Sequence, residues 1–266
     1  MKTSKKYTRE LYRQFKYLAA WLPGTPFALG DIGILKGREF TKIGNLKDEK
    51  FKIDFDIEKD TTPADINHSS KGAVTISIKA AGSASPSGST LTQVDAGVTV
   101  EFSKENAILF KAKGTLNNTI KDQIKLGDQI LELYKEGKWD KDYVVITELV
   151  EAKSSTIMIS SEKTGKIELK ANGQAGNNAI DIADASLGFS TTFSKGLSTE
   201  IIAESGLTPL FKASKVKSRF LKPAIFEFNK LFSDKMLEKD FTALDNNLNY
   251  FGEVTFEDVS YEEIEV

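Results

Sequence analysis

Apolar and polar residues alternate one for one along two stretches of the chain. In residues 73–102, two alternating runs flank a linker of Gly, Ser, Ala and Pro at 82–89, and in residues 165–194, two such runs flank a Gly- and Asn-rich loop at 172–178. Alternation with a period of two predicts half-buried strands, so each stretch is predicted to form a long amphipathic hairpin. The apolar positions are Val74, Ile76, Ile78, Val94, Val98, Val100, Phe102, Ile167, Leu169, Leu187, Phe189 and Phe193.

Apolar residues recur at helical spacing in three other places. The first repeat predicts an amphipathic N-terminal helix that ends at Pro23-Gly24. The second predicts a helix over 119–137 with Gly137 as its C-cap, and the third predicts one or two helices over 224–249 that pack on the sheet. The apolar stripes of the first two helices are Tyr7, Leu11, Phe15, Leu18 and Leu22, and Ile120, Ile124, Ile130, Leu131 and Tyr134.

Further strands complete the predicted architecture. Short strands are expected at 31–35 and 51–58, and residues 143–150, which are apolar on both faces, predict a central buried strand. Without the Gly turn and closing Glu of an EF-hand loop, one acidic strand face is predicted to be solvated and to bind no cation. That face carries Asp54, Asp56 and Glu58. The fold is therefore predicted to be α+β, with a twisted, mostly antiparallel central sheet, two long amphipathic hairpins and flanking helices.

Charge is concentrated toward the two ends of the chain, although the 266 residues carry a net charge of only -2. Residues 1–16 contain six basic residues and one acidic residue, whereas residues 252–266 contain six acidic residues and no basic one. A second basic stretch, 212–222, contains five basic residues and no acidic one. Each cluster is consistent with a solvated surface, and the opposite signs also allow the ends to interact.

The composition disfavours most enzyme classes. The absence of cysteine excludes disulfides, thiolate metal sites and cysteine nucleophiles, and a single histidine, His68, disfavours zinc and Ser-His-Asp chemistry. The sequence has no phosphate-binding loop, dinucleotide fingerprint or HExxH motif. Two basic patches in an acidic chain, with its aromatic residues mostly in apolar stripes, disfavour nucleic-acid binding. We therefore expect a protein that is not an enzyme and uses no cofactor or metal.

No stretch approaches the run of about 20 apolar residues that a spanning helix needs. The apolar patch at 17–22 is short and ends at Pro23-Gly24, unlike a secretory signal. A cytoplasmic location is expected.

The two hairpins admit two explanations. They can be ordinary antiparallel strands with one face on the core and the other in water. They can also be segments that leave the globule and enter a bilayer, with apolar residues toward lipid and polar residues toward a water-filled lumen. The runs at 93–102 and 185–194 match the length of about 9–11 residues that a tilted membrane strand needs. Alternation alone does not distinguish the two.

One sequence run adds a family resemblance. Val144-Val145-Ile146-Thr147-Glu148-Leu149-Val150-Glu151, preceded by a helix that ends Glu136-Gly137-Lys138, resembles the signature strand of the gasdermin pore-forming domain. The order of elements is also similar: a basic N-terminal helix, a turn with Gly30-Asp31-Ile32, a hairpin, the helix and buried strand, a second hairpin and a basic strand at 210–217. The likeness covers about residues 1–221.

The resemblance implies a pore-forming domain over 1–221 that inserts residues 73–102 and 165–194 into a membrane, the cell inner membrane, as a cell-death or defence effector. Because no open strand edge survives in lipid, copies would close a ring as a homo-oligomer. Basic residues would contact anionic lipid head groups. These are Lys2, Lys5, Lys6, Arg9, Arg13, Lys212, Lys215, Lys217 and Arg219.

The remaining residues, 222–266, are predicted to be a helical segment and acidic tail that inhibit the protein, as in short-tailed bacterial members of that family. Those members can be lipidated on an N-terminal Cys, which this chain lacks. The helices would cover apolar strand surface, the tail would mask basic residues near the N-terminus, and a protease acting between about 245 and 253 would release them. The assigned residues are Ile225, Phe228, Phe232, Glu257, Asp258, Glu262 and Glu263.

Two alternatives stay open at this point. The acidic tail can be a disordered, solubilising segment without an inhibitory role. The whole protein can be a non-catalytic α+β binding or scaffold module of a multi-protein defence system, without membrane activity.

Overall fold

A computed structural model of the chain describes residues 3–37, 39–78, 98–170, 179–181, 190–192, 197–203, 207–219 and 253–259. Within them the helices are α1 (Thr3–Phe15) and α2 (Gln123–Lys135). The strands are β1 (Leu18–Ala19), β2 (Asp31–Lys36), β3 (Glu39–Asn45), β4 (Ile57–Glu58), β5 (Ala64–Ser69), β6 (Val74–Ile78), β7 (Val98–Phe102), β8 (Ile108–Ile120), β9 (Tyr143–Ala152), β10 (Ser154–Ser160), β11 (Gly165–Lys170), β12 (Ala179–Asp181), β13 (Ser190–Thr192), β14 (Leu197–Ala203), β15 (Leu207–Arg219) and β16 (Glu253–Asp258).

The strands of the described residues form two sheets. The larger follows the order β1-β15-β9-β8-β10-β14-β13, with β2 on β9, β3 on β2, β4 and β5 on β8, and β16 on β15. The smaller follows the order β12-β11-β7-β6. Within both sheets these pairings are antiparallel except that of β11 with β12. The chain is thus α+β with mostly antiparallel sheets, as predicted. Strand β9 lies between β15 and β8 and is largely buried, which confirms the predicted central strand.

Three apolar clusters of the described residues hold the helices and the two sheets together. In the largest, Leu126 and Ile130 of α2 pack on β2, β9 and β15 of the larger sheet. In the second, Tyr7 and Leu11 of α1 pack on another part of the same sheet. The third cluster lies between the smaller sheet and strands β8 and β10. The two helices therefore fix the larger sheet, and the smaller sheet has a separate contact with it.

Helix α1 is shorter than predicted. It ends at Phe15, because Lys16 has a positive φ of 61° and the chain turns there. Leu18 is buried in β1, where its backbone pairs with β15, and Leu22 is 49% exposed. The prediction that these two leucines continue the helical stripe is wrong, because backbone pairing with β15 takes precedence over the local periodicity.

Helix α2 begins at Gln123 and not at 119. The Asp122 side chain caps it by accepting a hydrogen bond from a first-turn N–H at 2.9 Å, while residues 119–120 belong to β8. Ile124 is 82% exposed, so its assignment to the apolar stripe is wrong. Gly137 has a positive φ of 71° and follows the helix, which confirms the predicted stop.

Two strand assignments also differ from the sequence prediction. The segment predicted at 51–58 is a strand only at Ile57–Glu58, although Asp54, Asp56 and Glu58 are exposed as expected. The long strand β8 was not predicted. Within it Gly114 has a positive φ of 59° and donates its N–H to the Asp65 side chain at 3.0 Å. This irregularity interrupts the alternation that would otherwise have marked the strand.

Candidate functional site

The smaller sheet brings together parts of the two alternating stretches. Strand β6 pairs with β7, with Ile76 opposite Val100, and β7 pairs with β11, with Val100 opposite Ile167. The described parts of the first predicted hairpin are therefore adjacent antiparallel strands, and a strand of the second stretch lies directly beside them. Among the described residues, none of the four strands of this sheet pairs with the larger sheet.

The second predicted hairpin is wrong in its pairing. The described part of its return run, β13, pairs with β14 in the larger sheet and not with β11. Strand β11 instead pairs with β7 at residues 165–168 and with β12 at 168–170. Strand β7 pairs with one edge of β11 and β12 with the other, so among the described residues the neighbours of β11 do not include the return run.

The apolar face of the smaller sheet is partly covered. Val100, Phe102 and Ile167 are buried against Leu109 and Met158 of β8 and β10. Val74 is half-buried at the margin, and Ile76 is 39% exposed. Of the predicted insertion residues, Val94, Leu187, Phe189 and Phe193 lie outside the described residues, and Ile78, Val98 and Leu169 are described only as strand backbone.

The opposite face of the same strands is polar. Lys166 of β11 and Glu101 of β7 are paired in register, and the Lys166 Nζ lies 2.8 Å from the Glu101 Oε1. Their side chains are 65% and 45% exposed, so this ion pair contributes little to stability. The smaller sheet thus has an apolar face that packs on β8 and β10 and a polar face that is solvated. Thr99 is an exception, because it lies on the polar face but is buried.

The predicted lipid-contact residues of α1 have different environments. Lys5 and Arg13 are exposed, whereas Lys6 and Arg9 are half-buried. Spacing of four residues places Lys5, Arg9 and Arg13 along one stripe of the helix. Lys2 lies outside the described residues.

Lys212, also predicted to contact lipid, lies in a polar network on the larger sheet. Its Nζ is 2.8 Å from the Glu148 Oε2 and 4.8 Å from the centre of the Tyr17 ring. The Tyr17 hydroxyl donates to Glu148 and accepts from the Asn117 amide at 3.1 Å. Burial, together with the hydrogen bond and charge of Glu148, raises the pKa of Tyr17 far above its usual value. The network ties the chain after α1 to β8, β9 and β15.

The described part of the acidic tail is strand β16, which pairs with the basic strand β15. Glu257 lies opposite Lys215, and its Oε2 is 3.4 Å from the Lys217 Nζ. The prediction that the tail masks basic residues near the N-terminus is wrong for residues 253–259, because they follow the β15 edge. Arg219 and Asp258 are described as strand backbone only, and Ile225, Phe228, Phe232, Glu262 and Glu263 lie outside the described residues.

Helix α2 covers β16. A Cβ atom on Gly127 of α2 would lie 3.3 Å from Phe256, so the glycine allows the aromatic ring to approach the helix closely. Val259, which follows the strand, is buried and donates its N–H to the Ala213 carbonyl at 2.7 Å. Strand β16 is therefore fixed on an edge by β15 and on a face by α2.

A carboxylate fastens α1 to strand β5 and the turn that follows it. The Glu10 Oε2 accepts from the Ser70 hydroxyl at 2.6 Å and lies 3.1 Å from the His68 Nε2. A Ser-His-Asp arrangement places the imidazole next to the nucleophilic hydroxyl, whereas here the carboxylate is central. Burial alone would raise the pKa of Glu10, but the hydrogen bonds from His68 and Ser70 and the charge of Lys6 outweigh it and lower that pKa.

This lowered pKa predicts a pH dependence of stability. Because the folded-state pKa of Glu10 is below its unfolded value, the stabilisation is present at neutral pH and is lost as the pH falls through the folded-state pKa. We expect the stability difference between wild type and Glu10→Gln to shrink as the pH falls below about pH 5. Urea unfolding at a series of pH values measures it. Glu39→Gln, at an exposed position of β3, is the control, and a pH-independent difference for Glu10→Gln would contradict the assignment.

Other candidate features are absent from the described part of the chain. No described helix combines the length and the apolar character of a membrane span. No group of three or more His, Asp or Glu side chains in the described ranges has the geometry of a metal site.

The comparisons with known proteins include a distant structural similarity. No protein-family model matches the sequence, and no curated protein matches it. Among solved structures, the chain is similar to a bacterial gasdermin from Bradyrhizobium tropiciagri, with 10% sequence identity, a TM-score of 0.35, and coverage of 79% of this chain and 86% of that chain. A likeness this weak does not establish a family or a function.

Several residues of the site had no recognisable signal in the sequence. Tyr17 and Glu10 were not assigned a role, and their partners lie 131 and 60 positions away in the chain. Glu148 occurs in the signature run, but the run does not indicate that it binds Lys212. Gly127 lies inside a helix, where an unexplained glycine points to close packing.

Proposed function

We propose that this protein is a membrane pore-forming effector of the cell-death or defence type, held inactive by its C-terminal segment. The observation that supports it is the smaller sheet, in which parts of both alternating stretches pair with one another and, among the described residues, not with the larger sheet. Such a unit can move away from the larger sheet without breaking any strand pair formed between the two by the described residues.

Membrane insertion offsets much of the free-energy cost of this movement. Exposing Val100, Phe102 and Ile167 to water would cost about 5–9 kcal/mol, at roughly 1.5–3 kcal/mol for each buried side chain. A bilayer also removes these side chains from water, so insertion offsets most of that cost. The polar strand faces would then line a lumen, and several copies would close the ring.

In this proposal strand β16 sets the inactive state. Its removal would free the edge of β15 and uncover Lys215 and Lys217 for contact with anionic head groups, each basic residue contributing about 1 kcal/mol near the membrane surface. Lys5 and Arg13 of α1 would contribute in the same way. The inactive protein would be cytoplasmic and the active oligomer would be in the cell inner membrane.

Removal of β16 tests the proposal. A chain that ends at Gly252 is expected to release dye from anionic vesicles at least ten times faster than the full chain, and the release should decrease with salt because surface charges are screened. A chain that lacks only residues 260–266 keeps β16 and is the matched control. A truncated chain that is folded by circular dichroism and releases no more dye than the full chain would refute the proposal and favour a binding module.

A further inference from the structure

The groove occupied by β16 has the features of a peptide-binding site. Strand β16 adds to the edge of β15 over six consecutive positions, from Ser214 opposite Asp258 to Arg219 opposite Glu253. Pairing of this type recognises an extended backbone, and the flanking side chains supply the specificity.

The two faces of the added strand contact different surroundings. One face carries Glu257, which lies in register with Lys215 and 3.4 Å from the Lys217 Nζ in a half-buried ion pair. The other face carries Phe256, which lies opposite the buried Val216 and beneath Gly127 of α2. An occupant must therefore place an aromatic side chain under the helix and an acidic side chain next to it, toward the lysines of β15.

Val259 also lines a cavity of about 510 Å³ together with Lys215, Val216 and Lys217 of β15. Four lysines and one aspartate line this cavity together with apolar side chains. The charged residues are Lys36, Lys141, Asp142, Lys215 and Lys217. The excess of basic groups beside the groove also favours an acidic occupant.

We propose that the groove between β15 and α2 is a binding site for an extended acidic peptide of another polypeptide, with an aromatic anchor followed directly by an acidic residue. Residues 253–259 are the occupant that this chain itself supplies, and a partner with the same aromatic-acidic pair replaces them. The site depends on the backbone edge of β15 that β16 occupies, on the glycine of α2, and on Lys215 and Lys217. It does not depend on membrane activity, so failure of pore formation leaves it intact.

The experiment uses the full-length chain with its own strand weakened. Phe256→Asp places a carboxylate beneath α2, where it lacks the apolar contact, and hydrogen exchange of the amides of residues 214–219 reports whether the groove is vacant. The probe is a fluorescein-labelled peptide with the sequence of residues 253–259, followed by fluorescence polarisation. We expect saturable binding to this variant that is at least ten times tighter than to wild type, in which the tethered strand competes at high effective concentration.

Two matched changes test the mode of binding. Adding Gly127→Leu to the variant fills the space of the aromatic ring and should weaken binding at least tenfold. A peptide with Glu257→Lys should bind weakly to the variant, and adding Lys217→Glu to that chain should restore binding.

Three results would overturn the proposal. One is the absence of saturable peptide binding to two full-length variants. The first is Phe256→Asp, and the second, in which the same strand is weakened by other changes, is Val254→Asp with Glu257→Lys. Another is equal binding of a scrambled peptide. The third is formation of concentration-dependent dimers without peptide binding, which would identify the groove as an interface between copies of this chain.

Discussion

Ile76→Lys is expected to abolish membrane permeabilisation without destabilising the folded protein. Ile76 is 39% exposed on strand β6, so a lysine there should change the free energy of unfolding by less than about 0.5 kcal/mol. In the proposed pore the same position faces lipid, where a lysine costs about 2–4 kcal/mol near the bilayer centre. Every copy in the ring carries this cost, so dye release by the chain that ends at Gly252 should fall at least tenfold. Vesicle leakage and thermal unfolding of the same variant measure the two effects.

The chain offers a matched control for this substitution. Ile43 of β3 is 46% exposed but lies outside both alternating stretches. Ile43→Lys should therefore leave both stability and leakage unchanged. If Ile76→Lys in the chain that ends at Gly252 leaks as fast as the same chain with isoleucine, β6 does not face lipid and the insertion assignment is wrong.

Gly33→Ala should cause the largest loss of stability among single substitutions in β2. A Cβ atom there would lie 2.5 Å from the Thr41 carbonyl oxygen and closer still to the Phe40 ring. The carbonyl belongs to the backbone of β3, and the ring packs edge-on against Phe27 and Phe211 at centroid distances of 5.1 and 5.6 Å. We expect a loss of at least about 3 kcal/mol, which corresponds to a fall in Tm of roughly 6–12 °C.

Gly44→Ala is the control for Gly33→Ala, because it lies in the strand that pairs with β2. Its Cβ would lie 2.8 Å from the Asp48 Oδ2, at the end of an exposed side chain that can turn away at the cost of one exposed hydrogen bond, which Oδ2 accepts from the Asn45 N–H at 2.7 Å. The loss should stay below about 1.5 kcal/mol. Equal losses in the two variants, measured by urea unfolding, would show that the contact of Gly33 with β3 is not the cause.

The sequence predicted the elements whose periodicity reflects burial. Alternation located β6, β7 and β11, and the apolar run at 143–150 located the central strand β9. Helical spacing gave a wrong prediction at two residues. Leu18 fits a helical stripe but lies in a strand, and Ile124 fits one but lies on an exposed helix face. Spacing shows which residues share a face, and it does not show whether another part of the fold covers that face.

The composition and order of residues by themselves determined the α+β class, the basic start, the acidic end and the alternating strands of this protein. Only the tertiary structure decided that β11 lies beside β7, that Glu148 binds Lys212, and that β16 lies on β15 beneath α2. The reason is that strands pair through backbone groups that are the same at every residue, so the local sequence of a strand does not identify its partner. Which edge is free, and which charges meet across it, therefore depends on how the whole chain packs.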